Sequence, residues 1–278
     1  MNVKVAHPGS HQPPLLAMFG MRRSGNHAIA DWLRRNVPGE CVFLNDCAPG
    51  DPFDTYALME TPRGDRHGPS FRTTRWFPQF PDGRTARAHL VSYEDRLPGT
   101  ATPEGWDRPA TEIVVHRSFL NWLASFLKLV RVRKAGTAQG ARGIGPLRRA
   151  VSQYVALLTA CEGRVSVSLD RWRQDADYRA RRLDALRLPM LDNGVGGQAS
   201  YGGGSSFSPG HAAPGASDLS SRWRIAATDP IFRTIAGAAG RSPGLLDVLN
   251  RHYPEDVARL RRIAGDTART ARTLSWCN

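Results

Sequence analysis

Residues suited to bind an anion are concentrated between Gly20 and His27, in the run Gly20-Met21-Arg22-Arg23-Ser24-Gly25-Asn26-His27. Glycines bracket the turn, two guanidiniums lie inside it, and a hydroxyl, an amide and an imidazole follow. A glycine turn that opens a helix aims backbone N–H groups and the helix N-terminus at one point, which is a way to hold a phosphate. The spacing Gly20-x4-Gly25 is that of a phosphate-binding loop. Asn26-His27 stands where a nucleotide triphosphatase carries Lys-Ser/Thr, so the pattern points to a phosphate but not to Mg-ATP. The alternative reading of this stretch alone is an ordinary strand-to-helix turn with an exposed basic pair. Two more charged groups lie further on, Glu94-Asp95 and Arg117, each at the end of a strand candidate.

The elements that must position these residues follow from the hydrophobic pattern. Leu15–Phe19 is a continuous apolar run, as expected of a strand buried on both faces. Ala28, Ile29, Trp32 and Leu33 then recur at helical spacing. Cys41–Leu44, Ala86–Tyr93, Thr111–His116 and Arg164–Leu169 read as further strands. Phe119 to Val130, Leu147–Ala160 and Asp175–Leu186 read as helices, and Leu245–His252 and Pro254–Ile263 as two closing ones. Arg131–Gly145 reads as a basic, glycine-rich loop. Asn45 to Arg84 is rich in Pro, Gly and Asp with scattered aromatics and reads as a long irregular insertion, of the kind that serves as a lid or binding loop. Asn193–Gly215 is dominated by Gly and Ser, a linker composition. Alternating strands and helices predict an α/β domain with a central parallel sheet covered by helices on both faces. Ligands in such sheets bind beyond the carboxyl ends of the strands. Gly20–His27, Glu94 and Arg117 all fall at such ends.

The 278 residues are read as one domain (1–278), with the insertion at about 45–84 and a helical end from about 224. The net charge of +13 attracts anions: nucleic acid, a polyanionic cofactor or an acidic substrate. Aromatics are not interleaved with the basic residues as stacking platforms, and no nucleic-acid module is legible. No apolar run approaches the length of a membrane helix. The first residues lack the apolar segment of a signal peptide. The expectation is a cytoplasmic protein without a membrane span. Cys41, Cys47, Cys161 and Cys277 are scattered and suggest neither a zinc site nor a disulfide framework, so no metal is expected.

Several segments together resemble the sulfotransferases that use 3′-phosphoadenosine-5′-phosphosulfate (PAPS). Arg23-Ser24-Gly25-Asn26-His27 resembles the family's 5′-phosphosulfate loop, typically Lys/Arg-Ser-Gly-Thr-Thr, and is similar to bacterial relatives whose loop reads Arg-Ser-Gly-Asn-His. Arg117, with Ser125 eight residues later, resembles the Arg and Ser of the 3′-phosphate motif. Ser205-Ser206-Phe207 resembles the Thr-Ser-Phe near the adenine, and Arg222-Trp223 the late basic segment that ends in Trp. The likeness spans about Leu15 to Trp223. It implies a three-layer P-loop-like fold and transfer of a sulfuryl group from PAPS to a hydroxyl or amine of a small-molecule or glycan acceptor, with release of adenosine 3′,5′-bisphosphate and no metal.

By the same resemblance Arg22, Arg23, Ser24, Gly25, Asn26, His27 and Ala28 face the 5′ end of the nucleotide. Arg117, Ser125, Ser205, Ser206, Phe207, Arg222 and Trp223 face the remainder. Arg23 has a further role at the leaving phosphate. The acceptor must lose a proton, and two residues on one strand are candidates for the base. His89, in Arg87-Ala88-His89-Leu90, resembles the Lys-Thr-His-Leu of animal enzymes. Glu94 lies at the carboxyl end of the same strand, where chemistry in a parallel sheet is expected, and is preferred. Two other classes remain open, a P-loop kinase-like enzyme and a basic nucleic-acid-binding protein.

Overall fold

The computed structural model describes residues 14–61, 64–68, 86, 88–101, 106, 109–135, 145–196 and 221–275. Strand β1 (Leu15–Gly20) has every residue buried. It lies in the middle of a seven-stranded sheet with β2 (Cys41–Asn45), β3 (Leu58–Thr61), β4 (Gly64–His67), β5 (Ala88–Glu94), β6 (Thr111–His116) and β7 (Val165–Ser168), in the order β4-β3-β2-β5-β1-β6-β7. Strands β2, β5, β1, β6 and β7 are mutually parallel, and only the pairings of β3 with β2 and with β4 are antiparallel. Double-sided burial explains why β1 and the first four residues of β2 read as apolar runs rather than as alternating patterns.

Helices cover both faces. One layer holds α1 (Asn26–Arg35), α5 (Leu169–Gln174) and α6 (Ala176–Ala185). Their Ile29, Trp32, Leu33, Trp172 and Leu183 pack on Leu16, Met18, Phe43 and Leu90 of the sheet. The opposite layer holds α3 (Phe119–Ala135), α4 (Gly145–Thr159), α8 (Pro230–Ala239), α9 (Pro243–His252) and α10 (Pro254–Ser275). There Trp122, Tyr154, Phe232, Leu249 and Leu260 join Phe19, Val91 and Val114 in a second core. The fold is therefore α/β, a mostly parallel sheet between two helical layers. Among the described residues no helix is long and apolar enough to cross a membrane.

The insertion is not irregular throughout. It contains the short helix α2 (Pro52–Thr55), capped by the Asp51 carboxylate at the Phe53 N–H, and the β3–β4 hairpin that extends the sheet past β2. Each hairpin strand has four residues, too few for a periodic signal. Residues 69–85 lie outside the described set. Ser168 caps α5, a turn missing from the sequence reading, and Asp175 caps α6 where that reading began its helix. The C-terminal region carries α7 (Arg222–Ala226) and α8 in addition to the two helices expected, and α10 runs on to Ser275.

Candidate functional site

The crossover connections leave β1 and β6 toward opposite sides of the sheet: α1 leads to β2 on one side, and α3 and α4 lead to β7 on the other. Such a divergence opens a crevice at the carboxyl ends of the two strands. The turn after β1 lies there. Gly20 is in register with Glu94 of β5 and Val115 of β6. The Ser24 N–H donates to the Met21 carbonyl at 3.1 Å, and the N–H groups of Ala28 and Ile29 donate to the Gly25 carbonyl at 3.1 and 3.2 Å. Both glycines are required. A Cβ on Gly20 would stand 2.2 Å from Asn26 Oδ1 and 3.1 Å from the Val115 carbonyl oxygen. Gly25 has φ +94°, a left-handed conformation that is costly with a side chain. Arg23 adopts φ 74° without being glycine. The Ser24 hydroxyl is fully buried and has no hydrogen-bond partner among the described residues. An orphaned buried hydroxyl costs about 1–3 kcal/mol and marks a place where a further partner belongs.

Beside the turn, arginines from distant segments converge. Arg117, directly after β6, is 1% exposed, and its Nη1 donates to the Arg23 carbonyl at 3.2 Å. Tyr154 holds the Arg117 carbonyl from above. Arg23 Nε donates to Ser125 Oγ of α3 at 3.2 Å, and Ser125 is itself buried. Arg222, at the start of α7, is also buried. Its pKa is drawn down to about 9, first by burial and then by Arg117, Arg23 and Arg173. Burial likewise lowers the Arg117 pKa, against which Asp170 acts. Guanidiniums close enough to perturb one another in a buried crevice repel, and an anion among them relieves that repulsion.

A second group lies on the other side of the turn. Arg22 Nη2 donates to Asp46 Oδ2 at 2.6 Å and Nε to Glu94 Oε2 at 3.0 Å, and the Arg22 N–H donates to Asp95 Oδ1 at 2.8 Å. Glu94 Oε1 accepts from Asn26 Nδ2 at 3.2 Å and lies 3.9 Å from His27 Nε2. The Arg22 carbonyl accepts from Trp122 Nε1. Burial, chiefly, raises the pKa of Asp46 and of Asp95, and the neighbouring carboxylates add to it. Asp46 and Asp95 have φ of 50° and 54°. With Arg23 they make three left-handed, non-glycine residues around one crevice, and stored backbone strain of this kind gathers at functional sites.

The structure thus brings together Arg22, Arg23, Ser24, Gly25, Asn26, Glu94, Arg117, Ser125 and Arg222. The resemblance divided Arg23 and Ser125 between two anion sites, and here they share a hydrogen bond. His27 and Ala28 lie in the first turn of α1. His89 is away from the group. It pairs with Leu15 at the amino-terminal end of β5, is 1% exposed, and packs edge-on against Trp106 and Phe53 at centroid distances of 4.3 and 5.8 Å. Trp223 donates its backbone N–H to Asn121 Oδ1, with Arg259 and Arg224 over its ring. Ser205, Ser206 and Phe207 lie outside the described residues. Asp46, Trp122, Asp170 and Arg173 were not singled out in the sequence. Asp46 directly follows a strand on the same sheet edge as Glu94, which is the signal that could have found it.

Elsewhere, His116, Cys161 and His252 offer ligand atoms within 4.8 Å of one another. No protein-family profile matches the chain, and neither does any curated protein or solved structure.

Proposed function

We propose that the protein is a PAPS-dependent sulfotransferase acting on a hydroxyl or amine of a small-molecule or glycan acceptor. The observation that carries this reading is the convergence of the half-buried Arg23 with the buried Arg117, Ser125 and Arg222 beside a glycine turn at the end of β1. The arrangement of β1, turn and α1 at the point where crossovers diverge supports the P-loop-like form of the α/β fold. The residues fit the nucleotide's two anionic ends. The orphaned Ser24 hydroxyl, the turn and the N-terminus of α1 suit the 5′ phosphosulfate. Arg117, Ser125 and Arg222 suit the 3′ phosphate. The turn lacks the Lys-Ser/Thr that a Mg-nucleotide site uses, which weighs against the kinase-like alternative.

When bound, PAPS supplies a sulfuryl group on a phosphate leaving group. The chain's own part is positioning and charge stabilisation. Arg23 and the turn hold the phosphate on which negative charge develops as the sulfur–oxygen bond breaks. Glu94, at the carboxyl end of β5 beside the turn, takes the proton from the acceptor as the new bond to sulfur forms. Arg22 and Asn26 fix that carboxylate through its two oxygens. Incubating the protein with 35S-labelled PAPS and a panel of alcohol and amine acceptors, without added metal, tests the reading. Label is expected in an acceptor, with adenosine 3′,5′-bisphosphate formed in equal amount. Turnover only with ATP and Mg²⁺, or label transfer unchanged in Arg23→Ala, would overturn it.

A further inference from the structure

We infer that the cavity on the outer edge of β7 is a second anion site, shaped for a single tetrahedral oxyanion: a phosphate or sulfate, free or as a small monoester. The inference does not depend on the proposed activity. The cavity measures about 160 Å³ and is walled by Arg171, Arg181, Arg182 and Arg251 with His116 and His252, and among the described residues no Asp or Glu lines it. That volume is roughly ten times the ~15 Å³ that one water needs. It holds an oxyanion with a short substituent, but not a nucleotide.

The wall is built rather than a chance meeting of surface charges. β7 is the edge strand, and Tyr178 of α6 closes its open side: the Tyr178 hydroxyl accepts from the Ser168 N–H at 2.8 Å and donates to the Ser166 carbonyl at 3.2 Å. The same ring carries two guanidiniums, Arg171 at 4.5 Å and Arg182 at 5.3 Å from its centroid. Cation–π contact of this kind keeps like charges side by side. Arg182 Nε is buried and has no hydrogen-bond partner among the described residues, so the fold leaves this guanidinium incompletely satisfied. Arg181 has a 3.5 Å ion pair with Asp175, both partners being largely exposed. On the inner wall, Tyr253 ties His116 Nδ1 at 2.7 Å and Ser168 Oγ at 3.0 Å, which fixes the imidazole.

A metal ion is the competing occupant, because His116, Cys161 and His252 are neighbours. Charge decides against it. A cation would enter among four arginines. The Cys161 thiol, pushed up to about 12 by burial, would also have to ionise. An oxyanion meets several guanidiniums and no carboxylate, the pattern of bidentate arginine recognition.

Titration of uniformly 15N-labelled full-length protein, read at the histidine rings by NMR, tests this. His252 and His116 report the cavity and His27 reports the turn after β1. Inorganic phosphate, inorganic sulfate and phenyl phosphate are the probes. Saturable shifts of the His252 ring are expected with at least one of them. A tighter fit for phenyl phosphate identifies the ester form, and a tighter fit for the inorganic ions the free form. In Arg182→Gln/Arg251→Gln the dissociation constant should rise at least about tenfold, with the His27 response unchanged as a control of folding. The inference is overturned if the His252 ring does not respond to any of the three. It is also overturned if the double variant binds as tightly as the parent, or if Zn²⁺ saturates the His252 shift while the oxyanions leave it in place.

Discussion

Arg23 and Arg117 are bound to each other through the Arg23 carbonyl, so the turn and the end of β6 form one unit. Their meeting in one crevice was legible from position, because both follow strands of a parallel sheet at the carboxyl end. The contact between Arg23 and Ser125 was not legible. It depends on the left-handed backbone of Arg23, which turns the side chain toward α3. The two candidate bases separate along one strand. Glu94 and His89 lie five residues apart on one strand, about 16 Å at 3.3 Å per residue. Pairing with Gly20 puts Glu94 at the crevice, and pairing with Leu15 puts His89 at the far end. Glu94→Gln is therefore expected to lower sulfuryl transfer by on the order of a hundredfold or more while nucleotide binding persists. His89→Asn should leave turnover near the parent value in whatever fraction remains folded. Steady-state kinetics on the two variants, normalised to nucleotide-binding protein, check this, and the reverse ranking would reassign the base.

β1, the turn and α1 form the element on which the site depends. Here the sequence pattern was informative because burial on both faces demands an unbroken apolar run and the helix has one apolar stripe. Gly25→Ala places a side chain at φ +94° and its Cβ 2.6 Å from Leu169 Cδ1. Thermal unfolding should show a loss of about 1–2 kcal/mol from the left-handed strain, and the variant should bind a phosphate-bearing nucleotide more weakly. Unchanged melting and unchanged binding together would mean that the turn geometry does not matter. The β3–β4 hairpin shows the limit of pattern reading. It is made by pairing with the free edge of β2 rather than by any periodicity of its own. Residues such as Asp46, held by Arg22 beyond the end of β2, become site residues only once that edge is in place. Helices α7 and α8 were missed for a related reason. A five-residue helix has almost no period, and α8 is dominated by small residues whose burial comes from packing on α10.

Taken as a whole, the molecule carries a surplus of 13 positive charges. Part of that surplus is spread over the surface, and part converges on the arginines beside the turn, of which Arg117 and Arg222 are buried, and on the β7 edge. Net charge was visible in the composition, but its concentration was not, because Arg23, Arg117 and Arg222 are far apart in sequence. Stability should fall in mild acid for a traceable reason. Burial, with His252 and Arg171 nearby, lowers the His116 pKa from 6.5 to about 3. Between those values the unfolded chain binds a proton that the native state refuses. The contribution is thus present above pH 6.5 and is lost as pH falls toward 3. Urea unfolding at pH 7 and pH 5 should show this loss, and His116→Gln should reduce the slope. An equal slope in that variant would assign the acid sensitivity to other groups. On the proposed function, Arg23, Arg117, Arg222 and the glycine turn together hold a nucleotide with a phosphate at each end. The most direct test of this is thermal unfolding with adenosine 3′,5′-bisphosphate in EDTA, for the parent and for Arg117→Ala. Ligand at a hundredfold its dissociation constant should stabilise the parent by about 2.7 kcal/mol. Binding to Arg117→Ala should weaken by about 1.5–3 kcal/mol for the bisphosphate, and much less for adenosine 5′-phosphosulfate. No stabilisation of the parent by millimolar bisphosphate, or equal losses for both nucleotides in the variant, would contradict the claim.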